Sequence, residues 1–124
     1  MKMKLSALML VLVMLFSVSA SALSPADFEN GSLSGITRHE NGLLVTDTYN
    51  KVIWHLNLGK VTCYAGAINV ADISGEPIGR CIDGALDKAY FMEPWDIAPF
   101  LDGYAVSDTA AHVIRFIGKD SVLT

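Results

Sequence analysis

Two cysteines, three histidines and an aspartate that recurs with its threonine neighbour are the residues whose chemistry could reach beyond packing. Cys63 and Cys81 are the only cysteines of the chain. Two thiols without a close His or acidic cluster do not complete a zinc shell, so the chemistry open to them is a disulfide, with free or intermolecular thiols as the alternative. A Cys63–Cys81 bridge would close a loop of about 18 residues and stabilise by roughly 3 kcal/mol on a chain-entropy basis. His39, His55 and His112 show no ligand spacing that links them, so neither a metal nor a cofactor is expected. Asp47-Thr48 and Asp108-Thr109 are the most tempting acids, because carboxylates recurring at one position could line a common channel. A residue needed once per unit is more simply a turn and hydrogen-bond device, with the threonine hydroxyls assisting. No acid, base and nucleophile arrangement and no Gly-rich phosphate loop stands out, and no catalytic residue is expected.

The elements that hold these residues are themselves repeated. Residues 35–56 read GITRHENGLLVTDTYNKVIWHL, and residues 96–117, at a constant offset of 61, read DIAPFLDGYAVSDTAAHVIRFI. Without a gap the copies share Ile36/Ile97, Gly42/Gly103, Val45/Val106, Asp47/Asp108, Thr48/Thr109, Val52/Val113 and Ile53/Ile114. The matches fall at turn positions and at alternating apolar positions, the mark of a repeated β unit that must stack on neighbours to bury its apolar face. In the first unit strands are expected over 33–38, 43–46, 52–56 and 61–65. Asn41-Gly42 supplies a hairpin turn suited to positive φ angles, and Asp47 to Asn50 supplies the next turn. The second unit follows with strands over 97–100, 104–107 and 113–117, Asp102-Gly103 replacing Asn41-Gly42. Its last strand, 121–124, is shorter than its counterpart. Between the units lies a connector, with a short helical turn expected over 85–91.

Ahead of the units, Lys2 and Lys4 precede an apolar run over 5–16 and a small, polar stretch over 17–22. That pattern is expected to be a secretory signal peptide cleaved after Ala22, the alternative being an uncleaved N-terminal anchor, and its apolar core falls short of the length a membrane span needs. The chain is therefore expected to be secreted or extracytoplasmic, where a disulfide would persist, and without a stable membrane span after cleavage. Removing Lys2 and Lys4 leaves seven basic against thirteen acidic residues, a charge of about −6. The basic residues are scattered among acids, which excludes a phosphate-binding face and with it nucleic acid as a partner.

The string over 83–117, DGALDKAYFMEPWDIAPFLDGYAVSDTAAHVIRFI, resembles an NHL repeat, with its spaced DG, A, F and P, an apolar strand, G, V-x-D-T and a closing V-I-R. Residues 35–56 resemble a second copy. The resemblance implies an all-β chain, a β-propeller of four-stranded antiparallel blades, commonly six, with a protein-binding or ligand-binding role. On that reading 1–22 is the signal peptide, 23–66 the first blade, 67–82 an insertion loop, and 83–124 a second, truncated repeat. About two blades are present, so the chain reads as the opening of a longer propeller, or as a short chain that closes a ring by homo-oligomerisation. The expected role is a scaffold for an unknown protein or carbohydrate ligand. The rival reading is a fragment of a propeller enzyme, lyase-like or lactonase-like, with a metal in the central channel.

Overall fold

The computed structural model describes residues 31–68 and 70–124. The expected signal peptide, 1–22, lies outside the described residues. The described chain is all-β and forms two antiparallel sheets. The first contains β1 (Leu33–His39), β2 (Gly42–Asp47), β3 (Val52–Asn57) and β4 (Lys60–Ala65), hydrogen-bonded in chain order. The second contains β5 (Gly84–Ala85), β6 (Pro94–Phe100), β7 (Gly103–Asp108), β8 (Val113–Ile117) and β9 (Ser121–Leu123), in the order β5-β9-β8-β7-β6. Each of β6 to β9 begins 61 residues after its counterpart among β1 to β4.

The fifth strand corrects the expectation of four strands per unit. Gly84 and Ala85 pair with Val122 and Ser121, adding a strand beyond β9. The helical turn expected over 85–91 is correspondingly a single hydrogen-bonded turn: the amides of Lys88 and Ala89 both donate to the Ala85 carbonyl at 2.9 Å. It cannot propagate, because the Leu86 and Ala89 carbonyls are taken by the amides of Gly66 and Ala67.

The sheets stack face to face. Strand alternation puts Leu44, Ile53 and Ala65 on one face of the first sheet, and Ile97, Val106, Ile117 and Val122 on the facing side of the second. Ala89 and Phe91, from the segment before β6, complete the core, and all nine residues are buried. Each Leu, Ile or Phe so buried contributes about 1.5–3 kcal/mol relative to exposure. The closest approach is between the leading strands β1 and β6, where a side chain on Gly35 would meet the Asp96 backbone at 2.6 Å. Glycine at that position is therefore a requirement of the stacking.

Hydroxyl groups finish this interface. Ser34 Oγ and Thr46 Oγ1 donate to the Trp95 carbonyl at 2.6 and 2.9 Å, and Thr48 Oγ1 donates to the Pro94 carbonyl at 3.0 Å. These bonds give the Pro94 and Trp95 carbonyls of β6 partners across the interface.

Candidate functional site

Asp47 and Asp108 close β2 and β7, and both are fully buried. Asp47 Oδ1 accepts the amides of Ser32 and Asn50, both at 3.0 Å, while Oδ2 accepts Asn50 Nδ2 and Trp54 Nε1, both at 2.8 Å. Burial acts to raise this carboxyl, but the donors from Asn50, Trp54 and Ser32 outweigh it and hold Asp47 below its ordinary value. Asp108 accepts the amides of Glu93 at 2.6 Å and Met92 at 3.0 Å, and Arg115 Nη1 at 3.4 Å. Ser32 and Glu93 are themselves counterparts at the 61-residue offset, so each aspartate grips the chain just before the leading strand of its own sheet. The neighbouring threonines act on the same segment: the amides of Thr48 and Thr109 donate to the carbonyls of Ser32 and Glu93. Thr109 Oγ1 adds a second bond to Glu93.

Arg115 was not singled out by sequence reasoning, yet among the described residues it is the largest fully buried side chain. Its guanidinium also donates from Nη1 to the Tyr90 carbonyl at 2.8 Å, and from Nη2 to the Ile82 carbonyl and Asp83 Oδ1, both at 3.0 Å. It lies over the Phe91 ring at 5.2 Å. Asp83 is held below its ordinary value first by the hydroxyl of Thr124, at 2.7 Å, and then by Arg115. The signal that could have revealed this cluster was present in the sequence: Arg115 sits eight residues before the end of β9 on the alternate positions that carry Val113 and Ile117, where a charge needs a carboxylate partner.

The turn glycines are explained differently from expectation. Gly42 and Gly103 do not have positive φ; the residues with positive φ in these two-residue turns are Glu40, at 47°, and Leu101, at 53°. Asn41 and Asp102 complete the turns, and the glycines open the next strands, paired with His39 and Phe100. A side chain on Gly42 would collide with the Leu56 carbonyl, and one on Gly103 with the Ile117 carbonyl. The bare backbone also lets two rings meet across the strand. His39 and His55 stand at 5.0 Å in an edge arrangement over Gly42, and Phe100 and Phe116 repeat the geometry at 6.3 Å over Gly103. The histidines, unlinked by spacing in the sequence, are thus neighbours in space, while His112 lies apart as the left-handed cap of the 3-10 turn Thr109–Ala111.

His39 and His55 belong to an aromatic cluster that spans both sheets. Tyr64 packs on both rings, and Tyr104 meets His39 and Tyr64. The Tyr104 hydroxyl lies 2.7 Å from His39 Nδ1 and donates to the Arg38 carbonyl at 3.3 Å. One hydroxyl proton serves both bonds only when His39 Nδ1–H is the donor to the tyrosine oxygen. Burial first, and then the nearby Glu40 carboxylate, raise the phenol of Tyr104; burial likewise raises Tyr64. Three of its members, His39, Tyr64 and Tyr104, line an open cleft of about 780 Å3 between the sheets, together with Arg38, Glu40, Asp102 and Lys119. A binding surface of rigid rings inside and charges outside can hold a polar ligand by stacking and rim hydrogen bonds.

Cys63 and Cys81 are free thiols, a correction to the expected bridge. Cys63 lies in β4 with its sulfur toward the carbonyls of Ala65 and Gly66, and burial pushes its thiol up to about 11. Cys81 is exposed beside Thr124. The connector 67–82 is closed instead by backbone bonds. The amides of Arg80 and Ile82 donate to the carbonyls of Phe91 and Tyr90, and Asp72 Oδ1 accepts the amides of Ser74 and Glu76. Among the described residues, no group of three His, Cys, Asp or Glu is arranged to hold a metal ion. No helix among them is long and apolar enough to cross a membrane. Neither a family model nor a curated protein matches the chain.

Proposed function

We propose that this chain is an exported β-propeller segment of NHL type, about two blades long, that serves as a scaffold for a protein or carbohydrate ligand and does no chemistry itself. The propeller reading is supported by two meandering sheets that repeat at one offset and stack face to face through their leading strands. The export reading is supported by the basic, apolar and small-residue order of 1–22. The observation that carries the binding role is the cleft between the sheets, where Tyr64, Tyr104 and His39 converge beneath a rim containing both signs of charge. Half-buried aromatic side chains ringed by charged donors and acceptors suit a sugar ring or a tyrosine-rich peptide better than a reacting group.

The test is calorimetric titration of the secreted chain with a panel of neutral and acidic oligosaccharides and with extracellular matrix peptides, repeated with Tyr104→Ala. Binding that weakens at least about tenfold in the variant, equivalent to 1.4 kcal/mol, supports the cleft. Absence of binding across the panel, or binding indifferent to Tyr104→Ala, counts against it. Stoichiometric uptake of a divalent metal with lyase or lactonase turnover would transfer the assignment to a propeller enzyme.

A further inference from the structure

The outer face of the second sheet is apolar and, among the described residues, uncovered. On the first sheet, the face carrying Leu44 and Ile53 is sealed by the second sheet, and Ile53 is 0% exposed. The same face of the second sheet carries Ala105 and Ile114 at the corresponding positions, and Ile114 is 63% exposed. Phe100, also on this face, is 53% exposed and Leu123 is 49% exposed. Shallow hollows lined by Phe100, Ala105, Ile114, Phe116 and Leu123 run across it. A face so apolar is a docking surface when a complementary one exists.

The complementary face is on the same molecule. The second sheet covers the first with Ile97, Tyr104, Ile117 and Val122. The first sheet holds Ile36, Leu43, Leu56 and Val61 at those four positions, every one apolar, and Ile36 and Leu43 are exposed at 60% and 39%. An open hollow lies between Leu43 and Leu56. The special contacts also have counterparts. Inside the chain, His39 meets Tyr104 through a polar bond; at the two open faces the corresponding residues are Phe100 and Leu43, an apolar pair. Inside the chain, Gly35 makes room for Asp96; between open faces Asp96 stands in the place of Gly35 and Trp95 in that of Ser34, so the incoming sheet sits back from these two side chains and the contact is carried by the apolar positions. Ser107, the counterpart of Thr46, keeps a hydroxyl for the incoming carbonyls.

We propose that the outer face of the second sheet is a docking surface for a second copy of this chain, which enters head to tail with the free face of its first sheet. Such a contact is heterologous, so copies add in one direction and form a ring if the rotation closes. The inference uses the repeat relation and the exposure of the two faces alone, and stands independently of any ligand in the cleft.

The experiment measures the mass of the full chain by light scattering over a range of concentrations, for the natural sequence and for two variants. Ile114→Arg spoils the outer face of the second sheet, and Ile36→Arg the free face of the first; both side chains are exposed, and circular dichroism checks that each variant keeps its β content. The natural chain is expected to assemble with rising concentration, and each variant alone to associate at least about tenfold more weakly. Mixed in equal amounts, the variants are expected to give a 1:1 dimer and nothing larger, because each retains the one intact face that the other needs. A natural chain that stays monomeric throughout overturns the proposal and points to a following stretch of a longer chain as the cover. Continued self-association of Ile36→Arg overturns it too, since the proposed contact needs the first-sheet face that the arginine spoils. Should either arginine variant lose its β content, Ile114→Asn and Ile36→Asn replace them with the same outcomes.

Discussion

Trp54 and Arg115 occupy the same position in the two sheets, and each donates to the aspartate of its own unit. Trp54 Nε1 reaches Asp47 Oδ2 at 2.8 Å, and Arg115 Nη1 reaches Asp108 Oδ2 at 3.4 Å. A neutral donor thus stands where the repeat elsewhere uses a cation, and the two aspartates carry different electrostatic burdens. Asp47 is satisfied by four neutral donors. Asp108 also balances a guanidinium with no exposure of its own. The carboxylate is common to both units because its first task, gripping the amide before the leading strand, is common to both.

The two aspartates should therefore respond unequally to neutralisation. Asp108→Asn removes the fully buried partner of a buried charge, a change that costs about 3–5 kcal/mol. Asp47→Asn preserves shape and removes charge-assisted bonds to neutral donors, with a cost of about 1–3 kcal/mol. Urea denaturation of both variants checks the ordering, and equal costs would show that Arg115 is balanced by Asp83 and the two carbonyls without Asp108.

Acid should act on the first unit through Asp47. Its folded carboxyl lies below the ordinary value of 3.8, so it contributes stability that is fully present above about that pH. That contribution is lost as the pH falls from there through the lower folded value. Asp83 is shifted in the same direction, by its bonds to Thr124 and Arg115. Tm should be flat between pH 5 and 7 with respect to these groups and fall below about pH 4. In Asp47→Asn the fall should be shallower; an unchanged slope would mean that Asp47 titrates with an ordinary pKa.

Much of the framework was legible in the sequence, and the reasons for the failures are physical. The strand positions follow from alternating apolar residues, and the offset of 61 carries over from letters to strands because a gapless repeat preserves register. Asp47 and Asp108 could be assigned to hydrogen bonding from recurrence alone. The fifth strand was missed because Gly84-Ala85 has no strand propensity; β9 imposes its pairing from a distant part of the chain. The aromatic cluster was missed because it depends on which residues face each other across Gly42 and across the sheet interface, and sequence spacing does not report the second. The disulfide was expected because the two cysteines flank an insertion, but backbone pairing of Arg80 and Ile82 with Phe91 and Tyr90 closes that insertion without sulfur.

Thiol chemistry distinguishes the two cysteines directly. Cys81 is exposed, whereas Cys63 is partly covered and its thiol is pushed up to about 11. At pH 8 the thiolate is the reacting species, so iodoacetamide should label Cys81 first and Cys63 at least about tenfold more slowly. Mass spectrometry of the native protein over time reads the two rates. Failure of both to react until a reductant is added would restore the bridge.

The strand-opening glycines make the sharpest steric prediction. Gly42→Ala and Gly103→Ala place a methyl against the carbonyls of Leu56 and Ile117, each in the paired neighbouring strand and unable to retreat without breaking register. Each substitution should cost about 1–3 kcal/mol by overpacking, and should disturb the ring pair above it. Gly75→Ala is the control. Its φ is +85° but no atom lies within 4 Å of the added methyl, so only the backbone penalty of roughly 1 kcal/mol remains. Tm shifts for the three variants separate the mechanisms: Gly42 and Gly103 have no positive φ, so a loss at those positions no larger than that of Gly75→Ala would show that the neighbouring carbonyls give way to the methyl. A Gly103→Ala protein that keeps its Tm would require β7 and β8 to slide apart, which the loss of the Phe100–Phe116 contact in the aromatic circular dichroism would reveal.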